Sequence, residues 1–155
     1  MKKEQGFSLI ELLIVVAIIG IVAAIAIPNL LQARKTANEA SAIGALRTVA
    51  SAEVTYQGNN NIYGTLTQLN SASLVDSTIS GGQTKSGYDF SNALAAPTAT
   101  AFNVAATAAS SSSGDRRFCV IEDGVVRYST TTPATAFTDT TGRAGTPLGS
   151  TASGS

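Results

Sequence analysis

Histidine and tryptophan are absent from the 155 residues, and cysteine occurs once, as Cys119. Without histidine the chain lacks the commonest general base and the commonest metal ligand. A single cysteine allows no disulfide within one chain and no thiolate zinc site. Charge is also scarce. Only 13% of residues are charged, about half the usual share, and ten Lys+Arg balance ten Asp+Glu. There is no basic field to mark nucleic acid as a partner, and Arg116 with Arg117 is too small a cluster to replace one. No nucleophile elbow is present, and the scattered acids fall in turn-like settings. Composition therefore argues against an enzyme, and neither a cofactor nor a metal is expected.

What the chain has in excess is apolar sequence, concentrated at one end. From Leu12 to Ile27 no side chain is polar, and across residues 7–31 the only clearly polar ones are Ser8, Glu11 and Asn29. A membrane-spanning helix needs about 20 mostly apolar residues. Ahead of the run lies a short leader, residues 1–6, with Lys2 and Lys3. Positive charge stays on the cytoplasmic side, so the N-terminus is expected inside and the rest exported. An ordinary secretory signal has a shorter apolar stretch followed by a small-residue cleavage site. The Ala-rich sequence at Ala23, Ala24 and Ala26 leaves such a cut open, but Gly6, on the cytoplasmic side, stands out more.

The sequence from Gly6-Phe7-Ser8-Leu9-Ile10-Glu11 through Gly20 to Pro28 resembles the N-terminal signature of type IV pilins and type II secretion pseudopilins. The resemblance implies that a prepilin peptidase cuts between Gly6 and Phe7 and methylates the new Phe7 amine. It implies a chain held in the inner membrane lipid as a single-pass protein with its N-terminus cytoplasmic. An inner-membrane assembly platform with its ATPase would then draw it into a helical filament of identical copies. The filament would be an extracellular pilus or a periplasmic pseudopilus. A glycine before the cut suits a peptidase, because no side chain obstructs approach to the backbone. Removing the leader leaves eight basic and nine acidic side chains, and a mature chain that opens directly on apolar sequence.

Glu11 is the anomaly in this run: an ionisable group near the centre of a span costs about 2.5–3.5 kcal/mol to insert, and less near its end, where Glu11 lies. Ser8-x-x-Glu11 matches a capping box, which accounts for an acid in a first helical turn. Alternatively, as the resemblance implies, its carboxylate pairs with the Phe7 ammonium of a neighbouring subunit and fixes the axial register of greasy helices that otherwise slide. Spacing leaves the two readings level; the resemblance favours the register pair, and both can hold.

Pro28 either ends the helix near Ile27 or kinks it at a cost of about 3 kcal/mol. Residues 30–55 are rich in helix formers, which favours a continuous, kinked helix over residues 7–55, roughly 70 Å long. Gly20 to Pro28 is its weakest stretch, and the resemblance implies that this region can lose helicity on assembly. Ile43, Leu46, Ala50 and Val54 are expected to form the apolar face of the later half. Residues 58–61 read as a loop, and Tyr63, Leu66, Leu69 and Leu74 as a partly helical connection. Strands are expected over 87–92 and 101–106, followed by a hairpin over 118–128 turning at Asp123-Gly124. A two-residue turn there would put Cys119, Ile121, Val126 and Tyr128 on one face against the helix. The Asp115-Arg116-Arg117 stretch reads as a solvated loop end. Asp115, Glu122, Asp123 and Asp139 do not form a dense oxygen-ligand loop for calcium.

The expected architecture is α+β: a long kinked N-terminal helix packed on a small antiparallel β-sheet head, with a mobile Ser/Thr/Gly-rich tail. Its parts are a leader (1–6), a membrane and assembly half-helix (7–28), an amphipathic half (29–56), the head (57–128) and the tail (129–155), where 23 of 27 residues are Ser, Thr, Gly, Ala or Pro. The leading function is a structural filament subunit, either pilin or pseudopilin. A membrane-tethered periplasmic enzyme or binding domain is the competing class.

Overall fold

Ser8 and Glu11 open a helix that nothing in the following fifty residues stops. In the computed structural model, which describes residues 7–80, 82–92, 97–130 and 146–148, α1 runs Leu9–Asn60. It passes through Pro28 without a break. The chain divides into two compact units within Met1–Arg34 and Lys35–Ser155. In the first, the apolar side chains of α1 are exposed, from Val15 at 46% to Leu9 at 80%.

In the second unit α1 carries a buried stripe: Glu39, Ala42, Ala45, Leu46, Val49, Ala52 and Glu53. This differs from the expected face. Ile43 and Ala50 lie at its margin and Val54 is exposed. The stripe uses alanines, whose small side chains let a sheet approach the helix closely, and the larger Val54 falls outside it. The helix also ends later than expected. Gly58 and Asn59 are helical, and Asn61 takes a left-handed φ of 58° while its N–H donates to the Gln57 carbonyl. The asparagines thus close the helix, a role asparagine fills at such positions.

Two short helices follow. α2, Leu66–Ser71, begins with a complete capping box between Thr65 and Gln68, and α3 spans Ser77–Ser80. The sheet is an antiparallel meander of β1 (Tyr88–Asn92), β2 (Asn103–Ala108), β3 (Arg117–Ile121), β4 (Arg127–Ser129) and β5 (Thr146–Pro147), each strand beside its neighbour in sequence. Tyr88, Phe90, Val104, Ala106, Phe118 and Val120 from the sheet join Leu46 and Val49 of α1 and Leu66 and Leu69 of α2 in one core. The α+β expectation is borne out, with the helix as the sheet's second layer.

The hairpin register is one residue away from the expected one. Phe118 pairs with Tyr128 and Cys119 with Arg127. The turn is longer than two residues: the Gly124 N–H donates to the Ile121 carbonyl, and Gly124 takes φ +70°. That is a type I turn closed by a left-handed glycine, the usual three-residue hairpin loop. Because strand side chains alternate, the slip moves Cys119 and Ile121 to the face away from α1, leaving Phe118 and Val120 on the core side. The expected tail is also not wholly separate. β5 pairs with β4 and the Leu148 N–H donates to the Val126 carbonyl; residues 131–145 and 149–155, the rest of that tail, lie outside the described residues.

Candidate functional site

The residues singled out from the sequence fall in the first unit. Gly6 lies outside the described residues. Phe7 is 80% exposed, just ahead of α1. Glu11 sits in the first turn, where its Oε2 accepts the Ser8 N–H at 3.2 Å. Half of the expected capping box is therefore formed. Gly20 lies in mid-helix with open space where a Cβ would stand. Around Pro28, which has no N–H to give the preceding turn, Asn29 donates its side-chain amide to the Ile25 carbonyl at 3.1 Å. Glu11, Gly20 and Pro28 are not brought together into one site; they lie along one helix. That helix is long and apolar enough to cross a membrane, and none of its most apolar window is buried.

The second unit contains an arrangement that sequence reading missed. Glu39, 6% exposed, accepts four hydrogen bonds from the β2–β3 connection. Its Oε1 takes the backbone N–H groups of Asp115 and Arg116 at 3.0 and 3.2 Å. Its Oε2 takes Arg116 Nε and Nη2 at 2.8 and 2.6 Å. Lys35 reaches Asp115 at 2.6 Å, and Asn38 donates to the Ser113 carbonyl at 2.9 Å. The Arg116 guanidinium lies over the rings of Phe118 and Tyr128. The Asp115-Arg116 stretch is thus not a solvated loop end. It is clamped to α1, as two-pronged arginine–carboxylate geometry favours.

The signal for Glu39 was its position: it stands three and seven residues before Ala42 and Leu46, on the buried stripe. Glu53 sits on the same stripe, fourteen residues further on. Among the other predicted acids, Asp123 pairs with Arg127 and its Oδ1 accepts the Val125 N–H at 2.9 Å. Asp139 lies outside the described residues. Among the described residues no group of three or more Cys, Asp or Glu side chains could hold a metal ion. Burial raises the Cys119 thiol to about 11, so it stays protonated at neutral pH.

The decisive observation is local to the N-terminus. Residues 1–27 match the family model of the prokaryotic N-terminal methylation motif. The N-terminus carries this motif. Among similar proteins, the type IV wide pilus major component of Thermus thermophilus is 51% identical over 63 residues, covering 41% of this chain and 48% of its own. The type IV major pilin of Myxococcus xanthus is 65% identical over 40 residues, 24% of this chain and 18% of its own. The type II secretion system core protein G of Vibrio cholerae is 35% identical over 68 residues, 44% of this chain and 47% of its own. The chain spans about half the length of the first and third of these relatives. The prepilin-type resemblance is therefore borne out, and the similar proteins are filament and secretion-system components.

Proposed function

We propose that this chain is a structural subunit of a type IV pilus-like filament and not an enzyme. The observation that carries the reading is the methylation motif, set on a helix whose large apolar side chains are exposed among the described residues of their unit. On this reading prepilin peptidase cuts between Gly6 and Phe7 and methylates the Phe7 amine. The chain then waits in the inner membrane, N-terminus cytoplasmic, until the assembly platform and its ATPase draw it into an extracellular filament. Glu11 carries register. The Ser8 N–H occupies Oε2, which leaves Oε1 for the ammonium of the next subunit's Phe7. Gly20 and Pro28 mark the stretch that gives way when the filament is pulled. The similarity to a type II secretion core protein G supports a second reading, a periplasmic pseudopilus, with the same processing and the same role for Glu11.

Mass spectrometry of the membrane-held protein should find an N-terminus at methylated Phe7; a start within residues 23–29 would assign the chain to an ordinary signal peptidase. The assembly role is tested by Glu11→Gln. Gln still accepts the Ser8 N–H, so a pure cap loses about 1 kcal/mol or less. A register pair instead leaves a buried cation unpaired at every added subunit, about 3–5 kcal/mol each. The ratio of sheared filament to membrane-held mature protein should collapse in the variant. A ratio equal to wild type sinks the register role. Electron microscopy of the sheared fraction separates a surface pilus from a pseudopilus.

A further inference from the structure

Glu53 is fully buried, at 0% exposure, and only half of its carboxyl is satisfied. Oε2 accepts the Gly64 N–H at 2.8 Å, while Oε1 has no hydrogen-bond partner. Gly64 belongs to residues 61–65, the connection from α1 to α2. A Cβ on Gly64 would stand 3.1 Å from the Tyr56 ring and 3.4 Å from the Leu69 side chain, so the connection is packed tightly where it meets the carboxyl. The Tyr63 N–H also ties the connection to the head, donating to the Thr98 carbonyl at 3.0 Å, and the Tyr63 ring packs against Phe102.

Among the described residues no countercharge pairs with this carboxyl. Among the described residues, the Tyr56 phenol, one turn further along α1, packs beside Gly64, and Tyr63 lies in the connection itself. α2, with sequence Leu-Thr-Gln-Leu-Asn-Ser, has no titratable group. Thr98 and Phe102, which meet Tyr63 from the strand side, have none either. Burial raises the Glu53 carboxyl to about 7, and the Gly64 N–H offsets only part of that rise. A charge placed there has one hydrogen bond and no ion partner, the arrangement that costs most in an apolar interior.

We propose that Glu53 is a proton-operated latch: protonated, it seats residues 61–65 on the head, and ionised, it opens that connection so that the carboxylate reaches water. In the open state the group titrates near its ordinary value of 4.5, and in the closed state near 7. The closed state binds the proton more tightly, so closure is fully favoured below about 4.5 and loses ground as pH rises through about 7. The gap between the two values limits the change in the opening equilibrium to about 300-fold. The latch concerns the head alone and operates in whichever filament the chain joins.

The test is amide exchange at Gly64 in the full chain in detergent micelles, expressed as protection relative to intrinsic exchange. Protection should fall by more than about tenfold between about pH 5 and about pH 8.5, and Glu53→Gln should abolish most of that dependence. Flat protection in the wild type, or an unchanged dependence in the Gln variant, overturns the latch. If the variant fails to fold, the carboxyl carbon shift of Glu53 in the wild type decides instead. A titration midpoint above about pH 6 supports the latch, and one below it overturns it.

Discussion

Two stretches of α1, one almost wholly apolar and one amphipathic, give their large apolar side chains opposite fates. Leu9, Ile14 and Leu30, in the first unit, are 80%, 51% and 70% exposed, whereas Leu46 and Val49, in the second, are 0% exposed. Burying such a side chain is worth about 1.5–3 kcal/mol. The second stretch realises that energy within its own unit, and the first does not among the described residues. The acids repeat the contrast. Glu11 is exposed, with one backbone N–H on its carboxylate, whereas Glu39 is buried and accepts four hydrogen bonds. Side chains in the later stretch are explained by the fold, and those in the earlier one by the environment outside the chain.

Matched substitutions sharpen this contrast. The largest difference is expected for phenylalanine. Phe118→Ala, at a fully buried site beside Tyr88, should cost the head about 4 kcal/mol, read as a drop in its thermal midpoint in detergent. Phe7→Ala, at an exposed site, should leave that midpoint unchanged. Next come the acids. Glu39→Ala strands the Arg116 guanidinium and two N–H groups; with Arg116 side-chain exposure at 38%, the cost is about 2 kcal/mol by urea unfolding. Glu11→Ala should not move the head's urea midpoint.

Glycines should show opposite signs. Gly124→Ala forces a left-handed φ on a side chain and should destabilise the hairpin by about 1 kcal/mol, although no atom crowds the site. Gly20→Ala should instead favour helix by about 1 kcal/mol, seen as increased helicity by circular dichroism in micelles. The smallest effect is at Asp76, whose carboxyl Lys85 and Thr78 hold well below the usual carboxylate range. Its contribution is present above the ordinary value of 3.8 and wanes as pH falls below it. Since Asp76 is exposed, Lys85→Ala should raise its NMR titration midpoint with little change in unfolding.

The long helix, the antiparallel head and the prepilin-type start were legible because each rests on a strong local pattern: an uninterrupted apolar run, helix formers beyond Pro28, and β-rich segments around Asp123-Gly124. What escaped depends on contacts distant in sequence or on a single backbone angle. Asp-Gly signals a hairpin but does not choose between a two- and a three-residue turn, and that choice moved Cys119 and Ile121 across the sheet. Ala42, Ala45 and Ala52 look featureless until a sheet lies on them, and the spacing of three and four fits Ile43, Ala50 and Val54 equally well. Glu39 and Glu53 were passed over because charge suggests solvent, although both stand on the buried stripe. β5 is too short, and too rich in tail-like residues, to carry any strand signal of its own.

The meander order of the sheet bears on how the head comes into being. Since every strand pairs with its immediate predecessor, the sheet can grow by adding one hairpin at a time, without waiting for distant segments to find each other. The short link of residues 122–126 between β3 and β4 closes with little entropic delay, whereas residues 130–145 separate β4 from β5. The clamp from Glu39 to Arg116 is different, for it joins residues 77 apart in the chain. It closes only when the connection between β2 and β3 meets the helix, and Arg116 is where that contact is fastened.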